Sequence, residues 1–217
     1  MLNGKMKREI NWTKILLAFL IASFLFFFGL FLGYLSNQII EKNSNQILEE
    51  TKNKLFSLES LSLLQEDYPC NSYMLDITSE KLSFIGELIT LLEKKKGVND
   101  REVLDLKKVY TLIEVRHFML INDLKKNCQA NYSTILFFYS NKEECKEDVT
   151  KKSFILTFLR NKYDFVRIYS FDLNLDSEIL SFFKQVYNLD GCYGIILDGK
   201  KIEQDIQKYE EIEKYLN

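Results

Sequence analysis

Ser133–Ser140, STILFFYS, is a run of apolar, aromatic and β-branched residues with no polar alternation, bounded by Asn131 before it and by Asn141 after it. Such a run fits a central strand buried on both faces, a placement typical of parallel or mixed sheets covered by helices. A helix is expected next, from about Lys146 to Arg160. Phe165–Leu173, FVRIYSFDL, then alternates enough to form a second strand, and Asp176 caps a helix over Glu178–Tyr187. Gly194–Leu197, the pair Asp198-Gly199 and Lys200–Ile202 make a β-hairpin, because Asp-Gly suits a two-residue type I′ turn. A last helix is expected from about Gln207 to Leu216. The order β-α-β-α-β-β-α implies an α/β domain whose first half is a right-handed crossover with parallel strands. The terminal hairpin argues against a continuous doubly wound sheet.

At the other end, Ile15–Leu35 (ILLAFLIASFLFFFGLFLGYL) holds no charged residue in 21 positions, a helix of about 31 Å that matches one crossing of a bilayer core. Trp12 and Tyr34 bracket it at headgroup level. A buried core helix and a cleavable signal peptide are the rival readings. The second has the right basic flank, but the apolar run exceeds the usual h-region and no A-x-A site follows. Lys5, Lys7, Arg8 and Lys14 precede the span and only Lys42 follows closely, so the N-terminus is expected in the cytoplasm and everything after Leu35 outside it.

Between these parts the chain reads as helical. Residues 37–66 place Ile40, Ile47, Leu55, Leu58 and Leu61 near heptad spacing, and Pro69 ends the segment. A second helix is expected from Thr78 or Ser79 to Lys96, with Gly97 as its stop. A third opens with Asn99 as cap and Glu102 three residues later, and carries Val103, Leu106, Tyr110, Ile113, His117, Leu120 and Leu124 on one seam. These helices either bundle with one another, or the first pairs with a second copy as a membrane-proximal coiled coil and homodimer. The boundaries are 1–14 for a cytoplasmic N-terminus, 15–35 for the transmembrane helix, 36–128 for a helical stalk region and 129–217 for the α/β domain.

The chain has 217 residues, a net charge of −2, four cysteines and one proline. Near-neutral charge argues against a nucleic-acid partner. His117, the sole histidine, has no cysteine or carboxylate cluster near it in sequence and reads as a packed histidine rather than a metal ligand or triad member. The run Glu93–Lys96 reads as a solvated helix end that complements the helix dipole. No motif calls for a metal or cofactor.

The element order, with Tyr139–Cys145 (YSNKEEC) directly after the first strand, resembles the thioredoxin-like fold, and in particular its membrane-anchored extracytoplasmic members. That family carries a C-x-x-C motif where the first strand leads into a helix, whose N-terminus favours thiolate. Here the stretch is Cys145-Lys146-Glu147-Asp148, with Cys145 in place of the nucleophile and Asp148 in place of the resolving thiol. In a second register Lys142–Cys145 is the motif and Cys145 its second cysteine. The family's substrate loop, with a cis-proline, corresponds to Asp190–Gly194, which puts Tyr193 at the proline position and Cys192 before it. A cis bond before a non-proline residue costs about 3 kcal/mol, so a trans loop is expected. The resemblance implies a Cys145–Cys192 disulfide and, with it, a Cys70–Cys128 one. It implies one of two functions. The domain is a redox-degenerate binding or structural module that meets a partner protein at the membrane, or it is a thiol–disulfide oxidoreductase in which Cys192 serves Cys145 as second thiol.

Overall fold

The computed structural model describes residues 12–36, 49 and 70–216. The expected helix over 37–66, with its coiled-coil pairing, and the basic residues before Trp12 lie outside the described residues. The chain divides into two units, Met1–Ile47 and Leu48–Asn217.

In the first unit, α1 runs Trp12–Ser36 and is long and apolar enough to cross a membrane. Its large side chains are exposed, from Trp12 through Phe24 and Phe28 to Tyr34. Gly29 and Gly33 have nothing near the position of an added Cβ.

The second unit is mixed α/β. Its described elements open with the helices α2 (Tyr73–Lys96) and α3 (Arg101–Cys128). The sequence reading starts α2 at Thr78 or Ser79, several residues late. Asn71 Oδ1 accepts from Tyr73 N–H at 2.8 Å and so opens the first turn, whereas Thr78 lies inside, its hydroxyl donating to Met74 C=O at 2.7 Å. An interior threonine satisfies itself in this way and gives no start signal. The cap of α3 is also displaced by one residue: Asp100, not Asn99, accepts from Glu102 N–H at 3.0 Å and Val103 N–H at 3.4 Å. The Glu102 carboxylate pairs with Lys96 across the turn. The helices are antiparallel: Met74 packs on Leu120, and Leu75 on Ile121 and Leu124.

The strands β1 (Ser133–Tyr139), β2 (Val166–Asp172), β3 (Tyr193–Leu197) and β4 (Lys200–Lys201) form one sheet in the order β2-β1-β3-β4. β1 and β2 are parallel, with Ser133 opposite Val166; β3 is antiparallel to both β1 and β4. Between the strands run α4 (Lys146–Lys162), reached through a 3₁₀ turn at Glu143–Cys145, and α5 (Glu178–Tyr187). The terminal α6 covers Tyr209–Glu213 and is shorter than expected.

Alternation along β1 explains why its run is wholly apolar. Ile135 and Phe137 enter a core with Leu156 and Leu159 of α4 and Ile212 of α6. Leu136 and Phe138 face the other way, onto Leu180 and Phe183 of α5, with Leu104, Val115 and Phe118 of α3 packed against the same cluster. The helices α2 and α3 belong to the same unit as the sheet. The hairpin turn has positive φ at Asp198 (46°) and Gly199 (82°), the backbone a type I′ turn needs.

Candidate functional site

The cysteine site is assembled where β1 ends. Ser140 N–H donates to Cys192 C=O at 2.9 Å, which extends the β1–β3 pairing beyond Tyr139 opposite Tyr193 and sets the Cys192 loop against the one leading to Cys145. Cys145 N–H closes the 3₁₀ turn on Lys142 C=O at 3.0 Å, and Cys145 then occupies the cap position of α4. Cys145 and Cys192 form a disulfide with Cα atoms 5.1 Å apart, 47 positions apart in sequence. Cys145 is 3% exposed, and Cys192 is half-buried.

Cys70 and Cys128 form the other disulfide, Cα atoms 5.6 Å apart, which links the start of α2 to the last residue of α3. No described cysteine is free.

Asp148 stands exposed on the first turn of α4, and so do Lys146 and Glu147. Tyr193 is held from two sides: its backbone lies in the sheet, and its hydroxyl bonds to Asp205. The ammonium of Lys152, itself 2% exposed, lies 5.2 Å from the Tyr193 ring centroid and donates to Asp205 Oδ1 and Ile206 C=O, each at 2.5 Å. Hydrogen bonds from Lys152 and Tyr193 pull the Asp205 carboxyl down to about 2. Burial, and then the bond to Asp205, push the Tyr193 phenol up, so this tyrosine stays neutral. All described peptide bonds are trans, including that before Tyr193.

Behind the Cys145 loop lies a polar cluster that the sequence reading did not anticipate. Asp172, at the end of β2, receives Lys107 Nζ at 2.9 Å and Asn141 Nδ2 at 2.5 Å on Oδ2, while its Oδ1 receives Asn174 N–H at 2.9 Å. Asn174 Oδ1 in turn accepts from Ser140 Oγ and Asn141 N–H. Glu93, from the run read as solvated, pairs with Lys107 at 2.6 Å. Burial works against the Lys107 charge, but the hydrogen bonds it donates to Glu93 and Asp172 outweigh it and leave its pKa raised. The one sequence signal for Lys107 is its heptad spacing from a second charge of α3, Glu114, whose carboxyl accepts from Ser170 N–H of β2 at 2.7 Å.

His117 is buried between α2, α3 and β2, with Nδ1 2.8 Å from Tyr169 Oη and Nε2 2.8 Å from Ser79 Oγ. Burial, with Arg167 nearby, lowers its pKa to about 4, so the ring is neutral. Among the described residues no group of three or more His, Cys, Asp or Glu side chains gathers as a metal site. Searches against protein-family models, curated proteins and solved structures found no match for this chain.

Proposed function

We propose that the chain is a membrane-anchored, extracytoplasmic thioredoxin-like protein whose Cys145–Cys192 pair is a structural bridge, and whose domain serves as a binding module for a partner protein. The observation that carries this reading is the burial of Cys145 inside the disulfide. Thiol exchange needs an attacking sulfur with access to its target. A disulfide that outlasts a reducing buffer does not, and a cysteine at 3% exposure suits that role.

The element order β-α-β-α-β-β-α, with a parallel β1–β2 crossover and a terminal antiparallel hairpin, supports the thioredoxin-like assignment. The length and composition of α1 support a membrane anchor, and two disulfides support an oxidising compartment, hence the orientation with the second unit outside the cytoplasm. The Tyr193 side chain, engaged by Asp205 and Lys152, supports a fixed loop rather than one free to receive an extended substrate.

One observation favours the oxidoreductase reading instead. Cys145 occupies the cap position of the 17-residue helix α4, where the helix dipole stabilises a thiolate once the bond is reduced.

The test uses the full chain in detergent micelles. A redox titration with mass mapping is expected to place the Cys145–Cys192 couple below about −300 mV, and insulin reduction to stay at background. A potential near those of exchanging proteins, together with activity abolished by Cys145→Ser, would overturn the structural reading and establish the oxidoreductase.

A further inference from the structure

Asn131-Tyr132-Ser133 is an Asn-x-Ser triplet whose middle residue is not proline, the pattern that N-linked glycosylation requires. The sequence holds one other, Asn11-Trp12-Thr13. The fold treats the two differently. Trp12 and Thr13 are the first two residues of α1, the helix long and apolar enough to cross a membrane, whereas Asn131 lies in the loop between α3 and β1, far along the chain from Ser36 where α1 ends. A triplet of this kind acts as an acceptor when it sits on a surface loop of an exported chain.

The loop meets the first condition. Asn131 is exposed, while its neighbours are fastened on both sides. Ala130 N–H donates to Leu124 C=O at 3.3 Å, Tyr132 N–H to Ala130 C=O at 3.2 Å and Ser133 N–H to Phe165 C=O at 3.0 Å, and the Tyr132 ring lies 4.9 Å from the Arg167 guanidinium. A branched sugar on Asn131 breaks none of these contacts and displaces no core residue. Ser133, by contrast, is 2% exposed and is closed to an enzyme in the folded protein. Transfer therefore has to come before β1 is assembled. The chain order allows this, because β1 pairs with β2 and β3, which both follow it, so the triplet enters the outer compartment before its partner strands exist.

We propose that Asn131 is an N-glycosylation acceptor, modified during export by a membrane oligosaccharyl transferase. The donor is an oligosaccharide linked to a lipid through pyrophosphate. The Asn131 amide nitrogen bonds to the anomeric carbon of the first sugar, the bond from that carbon to the pyrophosphate oxygen breaks, and the amide gives up one proton as the lipid pyrophosphate leaves. Nothing is oxidised or reduced. The inference rests on the orientation proposed above, with the second unit outside the cytoplasm, and is independent of what the cysteines do. In that orientation Asn11-Trp12-Thr13 opens the membrane helix on the opposite side and stays unmodified. A glycan is bulky and solubilising, so it leaves a protein partner the faces away from the α3–β1 loop.

The experiment is cell-free translation of the full chain with sealed rough microsomes, read by electrophoresis with and without an amidase that removes N-glycans, and by protease added outside the vesicles. The wild-type chain is expected to gain one glycan, removed by the amidase, with its second unit protected from the protease. Asn131→Gln and Ser133→Ala are each expected to lose the glycan completely, Ser133→Thr to keep it, and Asn11→Gln to change nothing. Since transfer comes before folding, a variant that folds poorly still reports. A protected second unit without a glycan overturns the proposal and leaves the orientation standing, whereas an unprotected one overturns both. A glycan that survives Asn131→Gln, or one that is lost in Asn11→Gln, overturns the assignment to Asn131.

Discussion

Lys107 on α3 places its ammonium 2.9 Å from Asp172 Oδ2 at the end of β2, joining positions 65 apart with side chains that are 6% and 4% exposed. This pair ties the helical part of the second unit to the sheet. Taking one partner from a buried ion pair leaves the other charge without compensation, typically a loss of about 3 kcal/mol or more. Lys107→Met is therefore expected to lower the unfolding midpoint by roughly 6–12 °C for a domain of this size. Lys108→Met, at the exposed neighbouring position, is expected to change it by less than about 2 °C. Thermal unfolding followed by circular dichroism measures both, and equal small effects would show that Asn141 and Asn174 suffice to hold Asp172.

Glu114 and His117, three residues apart on α3, make opposite contributions to acid stability. His117 has a folded pKa near 4 against an ordinary 6.5, so the unfolded chain takes up its proton first; the stability it contributes is complete above about pH 6.5 and is lost as pH falls towards 4. That loss is at most about 3 kcal/mol. Burial raises the Glu114 pKa well above the ordinary 4.5, so here the folded state holds the proton and stability is lost as pH rises above 4.5. Between pH 4.5 and 6.5 the two slopes oppose each other. Glu114→Gln is expected to become steadily less stable as pH drops from 6.5 to 4.5, and His117→Gln steadily less stable as pH rises over the same window. Urea midpoints measured across that range check both, and two variants with parallel profiles would refute the assignment.

The fold was legible where local chemistry and packing agree. The apolar STILFFYS run fits a strand covered on both faces, and the Asp-Gly pair fits its type I′ turn because both residues adopt positive φ. Helix ends were legible only to within a few residues. At α3, Asn99 and Asp100 are both competent caps, and only three-dimensional geometry gives the role to Asp100. At α2, Asn71 acts from outside the periodic stretch. The polar interior was not legible. Lys107, Glu114 and Lys152 are charged residues of types rarely buried without partners, and those partners, Asp172, Ser170 and Asp205, lie 65, 56 and 53 positions away. The cysteine pairings were reached only through a resemblance, since four cysteines permit three connectivities.

Asp198 shows how much depends on one turn. Its Oδ1 accepts from Thr134 N–H at 2.9 Å, Thr134 Oγ1 at 3.0 Å and Lys125 Nζ at 2.5 Å, and so fastens the β3–β4 hairpin to β1 and to the end of α3. Burial pushes its carboxyl up, but the Lys125 and Thr134 bonds outweigh that and leave it lowered, so this stabilisation is present above the ordinary value of 3.8 and fades in stronger acid. Asp198→Ala strands the buried Thr134 N–H and removes the polar side chain that lets a non-glycine residue tolerate positive φ, an expected cost of about 2–3 kcal/mol. Asp198→Asn keeps an acceptor and a residue tolerant of that φ and is expected to cost less than half as much. Urea unfolding at neutral pH ranks the pair, and an alanine variant no weaker than the asparagine one would rule out this role.

The two disulfides close loops of 58 and 47 residues, for which chain entropy gives about 4 kcal/mol each. They differ in setting, and the variants are expected to differ with it. Cys70 is exposed and Cys128 half-buried, at the open end of the α2–α3 pair, whereas Cys145 is buried under the sheet's end and next to the Ser140–Cys192 hydrogen bond. A reductant should therefore reach Cys70–Cys128 first. Timed alkylation during dithiothreitol treatment, read by mass spectrometry, is expected to label Cys70 and Cys128 well before Cys145 and Cys192. The double variant Cys70→Ser, Cys128→Ser should lose stability mainly through its unfolded state and keep the sheet intact. Cys145→Ser, Cys192→Ser also puts one hydroxyl at a buried position and one at a half-buried position, so its midpoint should fall further than the entropy of the shorter loop accounts for. Simultaneous labelling of all four cysteines, or the larger loss in the Cys70–Cys128 variant, would show that the cysteine at the head of α4 is not shielded in solution.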